Sequence, residues 1–308
     1  MFSENEMETN FDVLTQRAIT LHVGLPKTAT TTIQNALFAN AELLKSHYGI
    51  DYCKDLCGLA DVNCTGHHPL AWAEFLPTHS HFKPIDTALV KARFKVPGNI
   101  LLSSEWFSMA TTKQLSITLE KWDLPSDRRV LLIYRNEFDH IRSSWLQAIK
   151  MGLCFLSLQE YYLQRYKPWR SPISMKVKKW ADLGFAVEVM SFDELKTAEN
   201  DMTLEILNKL YGIKVDKKLW VNVEASNVSP PRVAVNLYRK LITLVKRFYP
   251  SLTSNWSEAE YHVAHDKLCR VLAWLPLKDR RYDEEEANVR HDLEMQPHFY
   301  DYQKDSVK

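Results

Sequence analysis

Residues 18–34 read AITLHVGLPKTATTTIQ, and no other stretch of the 308-residue chain limits its fold so tightly. Ile19, Leu21 and Val23 alternate with smaller or polar neighbours, which predicts a short strand over Ala18–Val23. Gly24-Leu25-Pro26 breaks the strand, and Ile33, Ala36, Leu37 and Leu44 then recur at helical spacing from Thr30 to Ser46. The connection carries chemistry as well as direction. The first N–H groups of a helix have no partner inside it, so they stabilise an anion bound at that end. Lys27 brings a positive charge to the same end, and Thr28, Thr30, Thr31 and Thr32 bring hydroxyl donors. Ala29 is small enough to let a ligand approach the backbone. A plain helix cap with spare threonines is the alternative. It fits less well, because threonine is a poor helix former and a structural start has no use for four of them in five residues.

Further strands are predicted at Asn99–Ser104, Arg129–Tyr134 and Phe185–Met190, with helices at Pro69–Leu76, Asp86–Phe94, Thr112–Trp122, Glu137–Lys150 and about 201–211. Alternating strands and helices mean an α/β fold with a central, mostly parallel sheet covered on both faces. From Pro231 onward the pattern is helical (Val233–Phe248, Ser257–Trp274) and then charged. The economical division is a polar N-terminal arm (1–17), one α/β domain with a helical C-terminal part (18–290) and a charged tail (291–308).

A second anion site is read at LLIYRNEFDHIRSSWLQ, where Arg135 ends a buried strand and Ser143 follows eight positions later on the next helix. The arginine fork suits a terminal phosphate and the serine can donate a further hydrogen bond. A strand-end arginine in a surface ion pair is the bland alternative, and the pairing with the first loop weighs against it. Both motifs fall at carboxyl ends of strands, where parallel sheets bind ligands.

The first loop is not a Walker A loop, since its lysine precedes the hydroxyl run and no second glycine follows. It resembles the 5′-phosphosulfate loop of the sulfotransferases that use 3′-phosphoadenosine-5′-phosphosulfate (PAPS), whose pattern is close to P-K-[ST]-[GA]-T-T. The Arg135…Ser143 spacing resembles the 3′-phosphate pattern of the same family, although Arg135-Asn136-Glu137 lacks the usual proline. SFDELK (191–196) and SNVSPPRVAVNLYRKL (226–241) are fainter likenesses. The resemblance implies a three-layer, P-loop-like fold, PAPS as co-substrate and no metal. It also implies Lys27 against the leaving phosphate oxygen, Lys27, Thr28, Ala29, Thr30, Thr31 and Thr32 around the 5′ group, and Arg135 with Ser143 on the 3′-phosphate.

That family abstracts the acceptor proton with a histidine or a glutamate. Glu105 closes the strand NILLSSE with Trp106 and Phe107 beside it, and is the preferred base; a loop carboxylate capping the next segment is its plain reading. His67 and His68, in the irregular 47–98 region, compete for the role. His22 alternates away from its strand's apolar residues and reads as structural, while Ser103 and Ser104 are lesser candidates for ligand contact. For Trp145 and the aromatics Tyr161, Tyr162, Tyr166 and Trp169, core and acceptor-wall roles are both open, with helical packing preferred. Cys53, Cys57, Cys64 and His67 suggest zinc, but the C-x6-C spacing is too tight for a two-knuckle site, so they read as loop and packing residues.

Lys+Arg 39 against Asp+Glu 38 leaves a net charge of +1, which argues against a general nucleic-acid binder. No apolar run approaches a membrane span, and the polar opening lacks the marks of a signal peptide. The expectation is a cytoplasmic enzyme whose acceptor is a small molecule or a glycan. A P-loop kinase using ATP, which needs a second glycine and a magnesium-holding acid, and a non-catalytic nucleotide-binding protein are the rivals.

Overall fold

The computed structural model describes residues 17–57, 64–76, 83–169, 171–198, 201–223, 232–272 and 280–295. The N-terminal arm, apart from Arg17, and the tail beyond residue 295 lie outside them. In chain order the elements begin with β1 (Arg17–His22), α1 (Thr30–Ala39), α2 (Ala41–Tyr48), β2 (Ile50–Asp51), α3 (His68–Phe75) and α4 (Thr87–Phe94). There follow β3 (Gly98–Ser103), α5 (Trp106–Met109), α6 (Thr112–Trp122), β4 (Asp127–Tyr134), α7 (Glu137–Lys150) and α8 (Leu158–Tyr161). The last are α9 (Ile173–Ala181), β5 (Ala186–Ser191), α10 (Phe192–Thr197), α11 (Met202–Tyr211), α12 (Arg232–Phe248), α13 (Glu258–Leu272) and α14 (Arg280–Glu294).

The chain divides into two compact units, Met1–Arg135 with Ser174–Ser226, and Asn136–Ile173 with Asn227–Lys308. The first holds the sheet. Its five strands lie in the order β2-β3-β1-β4-β5, and every pairing is parallel. Parallel strands must be covered on both faces, and β4 shows it: Val130, Leu131, Leu132 and Ile133 point alternately to opposite sides and are all fully buried. Leu131 and Ile133 meet Ile33 and Leu37 of α1 and Leu204 and Leu207 of α11 in one core cluster. Edge-to-face pairs Phe94–Trp122, Phe107–Trp122 and Phe75–Phe107 join α4, α6, α5 and α3. Each such buried side chain contributes roughly 1.5–3 kcal/mol.

One predicted helix is two. The spacing from Thr30 to Ser46 is continuous, yet α1 stops at Ala39 and α2 starts at Ala41. Asn40 is the cause: its amide donates to the carbonyls of Ala36 and Val221 at 2.9 and 3.0 Å, and its Oδ1 accepts from the Val221 N–H at 2.8 Å. A side chain that bonds backbone this well offers the chain an alternative to helix continuation.

The strand order matters for function. β1 has β3 on one side and β4 on the other; the connection from β1 runs to the β2 edge and that from β4 to the β5 edge, so the β1/β4 boundary is a switch point of the kind where parallel sheets bind ligands. The carboxyl ends of β3, β1 and β4 are therefore neighbours.

The second unit is helical. Phe138, Ile141, Trp145 and Ile149 form the buried stripe of α7 and pack with Tyr162, Val235, Tyr238, Tyr261 and Tyr282. Trp145 stacks on Tyr282 and donates its indole N–H to the Leu156 carbonyl at 3.0 Å, so it is core, as its spacing predicted. The charged pattern after residue 279 hides α14, which buries Tyr282 and Val289 and accepts from the Leu158 N–H through Glu285 at 3.2 Å. Among the described residues no helix is long and apolar enough to cross a membrane.

Candidate active site

β1 does not end cleanly at His22. The next residues still lean on β4, with Val23 and Leu25 N–H groups donating to the Leu131 and Ile133 carbonyls at 3.0 and 3.2 Å. The chain then turns sharply. Lys27 and Ala29 both adopt positive φ, 70° and 58°, a left-handed conformation that costs a non-glycine residue roughly 1 kcal/mol. Cys53 and Asp123 share this conformation singly, and at each place the surrounding structure must hold the strain. Thr28 is wholly buried and its hydroxyl donates to the Leu25 carbonyl at 2.6 Å, so it braces the turn from within. Thr30 is buried, Thr32 half-buried and Thr31 exposed at the start of α1.

α1 begins without a side-chain cap, on Ala29. The helices α2, α3 and α5 start the same way, whereas Asp86, Thr111, Asn136, Ser191 and Asp201 each cap their helices through a side-chain oxygen. A second observation sits under the same loop. His22 is fully buried; its Nδ1 lies 2.8 Å from Ser103 Oγ, while its Nε2 has no hydrogen-bond partner. That nitrogen points at Gly24, where a Cβ would stand only 2.9 Å from it and 3.1 and 3.2 Å from Thr30 Cγ2 and Thr28 Oγ1. Burial lowers the His22 pKa to about 4. A buried polar nitrogen left unsatisfied is costly and calls for an explanation.

At the end of β4, Arg135 turns back to the first loop. Its Nη1 donates to the Lys27 carbonyl at 3.2 Å, and its guanidinium lies 5.0 Å from the Phe192 ring centre. Two of the sequence motifs thus meet in one place. Ser143 lies on α7 in the second unit, half-buried, and its pairing with Arg135 rests on the sequence pattern.

The end of β3 carries the third group. Glu105 is partly exposed, and its Oε2 lies 3.8 Å from His68 Nδ1. His68 Nδ1 is also 2.8 Å from Ser104 Oγ, which accepts from the Trp106 N–H at 3.3 Å. Gln34 of α1 donates to Glu105 Oε2 at 3.4 Å and reaches the Ser103 carbonyl at 3.5 Å. Sequence reading missed Gln34, although a polar residue in the buried row of an apolar helix was a signal. Trp72 and Trp106 stand edge to face beside this group, 6.5 Å apart. Ser103 and Ser104 are both fully buried, their hydroxyls engaged by His22 and His68.

The two histidines read as rival bases part company here. His68 stands beside Glu105 with its side chain partly exposed. His67 is wholly buried; its Nδ1 accepts from the Ser103 N–H at 3.0 Å, so the neutral ring carries its proton on Nε2, toward the Cys53 carbonyl at 3.3 Å. Burial lowers its pKa to about 4. It braces the β3 end.

Cys57 Sγ lies 3.6 Å from His67 Nε2 and 3.5 Å from the Thr65 carbonyl, and Cys64 Sγ lies 3.1 Å from the Gly66 carbonyl. Burial raises the Cys57 and Cys64 thiol pKa values, which suits packing thiols. All five cysteines are free thiols.

No protein-family model matches the chain, and no curated protein matches it. Among solved structures it is similar to a sulfotransferase from Alicyclobacillus acidocaldarius, at 14% identity and a TM-score of 0.43, over 85% of this chain and 97% of that one.

Proposed function

We propose that the chain transfers a sulfuryl group from PAPS to a hydroxyl or amine, releasing adenosine 3′,5′-bisphosphate. The observation that carries the reading is the junction of the strained Lys27 loop with Arg135, beside the strand end that bears Glu105. An uncapped helix start, left-handed turns and an unsatisfied His22 nitrogen fit a phosphate-type anion over the first loop. Arg135 is suited to the 3′-phosphate, with Ser143 as a second donor on the strength of the sequence pattern.

In the reaction the acceptor oxygen attacks sulfur as the bond from sulfur to the phosphate oxygen breaks. Lys27 neutralises the charge growing on that leaving oxygen, and Glu105 takes the acceptor proton, with His68 and Gln34 holding its carboxylate. Positioning and electrostatics do most of the work, as in phosphoryl transfer. Free thiols throughout suit a reducing compartment such as the cytoplasm.

Thermal unfolding in the presence of adenosine 3′,5′-bisphosphate, without magnesium, tests the reading. The nucleotide should stabilise the protein, and Lys27→Ala or Arg135→Ala should each weaken its binding about 10-fold or more. Stabilisation by ATP with magnesium instead would turn the reading toward a kinase, and silence toward both would end it.

A further inference from the structure

The helical unit carries a second feature that owes nothing to the strand ends. α12 has two apolar faces. Ala234, Val235, Tyr238 and Ile242 are buried in the core of the unit. A different row, Leu241, Leu244 and Phe248, runs into Tyr249 and the Pro250–Leu252 turn and faces outward. Leu244 is 50% exposed, Phe248 65%, Tyr249 63% and Leu252 61%. Most other exposed large apolar side chains among the described residues are scattered along the chain, which is ordinary for a protein surface. Five within twelve residues is a patch.

Its electrostatic setting is one-sided. From Arg232 to Ser257 the chain has five cations (Arg232, Arg239, Lys240, Lys246 and Arg247) and no acid, within a protein whose net charge is +1. Lys246 and Arg247 are exposed; Lys246 lies over the Phe155 and Tyr261 rings, and Arg247 over Phe248. The nearest following acids, Glu258 and Glu260, open α13, where Glu260 accepts from the Ser257 N–H and hydroxyl.

We propose that the end of α12 and the turn after it dock onto an anionic lipid surface. Aromatic and leucine side chains that protrude, rather than line a groove, suit a fluid acyl boundary better than a shaped protein partner. Lysine and arginine can lay their stems along that boundary and keep their heads among lipid phosphates. A second copy of the chain would set these cations against each other. This docking is independent of the proposed transfer reaction.

The test is co-sedimentation of the full chain with phosphatidylserine–phosphatidylcholine vesicles (about 3:7) against phosphatidylcholine alone. Wild type should partition at least about tenfold better into the anionic vesicles and lose that preference in high salt. Phe248→Ser with Leu252→Ser should lower binding about tenfold, and each of Lys240→Gln and Arg247→Gln about fivefold, with circular dichroism and thermal midpoint unchanged. Equal partition into both vesicles, or wild-type binding by the Phe248→Ser/Leu252→Ser variant, would overturn the proposal. So would a concentration-dependent dimer that this variant dissolves, since the patch would then belong to a second copy.

Discussion

The ends of β1 and β3 lie side by side in the sheet and are built on opposite plans. After β1 the chain works with its backbone: two left-handed residues, a glycine with a buried ring behind it and a helix start without a side-chain cap. After β3 it works with side chains, as Ser104, Glu105, His68 and Gln34 converge through hydrogen bonds and a 3.8 Å approach of His68 to Glu105. A backbone site offers fixed donors whose direction does not depend on pH. A side-chain site offers groups that can take and release a proton. Under the proposed function, that difference would divide the labour of transfer, with the donor held at one strand end and the acceptor activated at the other.

Four experiments bear on that division, and the strongest is Glu105→Gln. Transfer activity should fall by about 10²–10⁴ while nucleotide binding stays within about twofold, because only the proton acceptor is lost. An active Glu105→Gln enzyme would move the base to His68.

Next comes the acid response, which both strand ends share through His22 and His67. Each is neutral when folded, with its pKa lowered to about 4 by burial, whereas the unfolded chain takes up protons near the usual 6.5. Stability is therefore full above about pH 6.5 and is lost as pH falls toward 4, to a limit of about 3 kcal/mol for each ring. Urea midpoints measured at pH 7 and 4.5 should differ accordingly; a flat profile would mean that these rings are not held neutral.

Gly24→Ala presses a methyl to 2.9 Å from the His22 ring, which Ser103 holds in place. The expected cost is about 1–3 kcal/mol, together with loss of the nucleotide-induced thermal shift. If stability fell while binding survived, the backbone of the loop would not be the donor grip.

The smallest effect is expected from Ala29→Gly. Relief of positive φ and the extra freedom of unfolded glycine nearly cancel, so a change under about 0.5 kcal/mol should appear in chemical denaturation. A clearly larger loss would show that the Ala29 methyl, which packs against the core, matters more than the strain.

Much of this was legible in the residues. The strand–turn–helix opening, the buried strand ending at Arg135 and the parallel sheet follow from periodicity and punctuation, because burial on both faces leaves an unmistakable run such as VLLI. Glu105 stands out for the same reason, as the acidic residue just after such a run, and the structure places it past the end of β3. Other features depend on partners far along the chain. The break at Asn40 needs Val221, and α14 needs the core of its unit to make helical sense of a charged stretch. That His67 faces inward and His68 outward is set by one residue of rotation at the start of α3, which adjacent identical letters cannot reveal.

The bond from Arg135 to the first loop ends on the main-chain oxygen of Lys27, not on its ammonium. Shortening the lysine therefore leaves the bridge standing, whereas shortening the arginine removes both a cation and a strut. The two basic residues are unequal in consequence: on the proposed reading one is a tool, the other a tool and part of the bench that holds it.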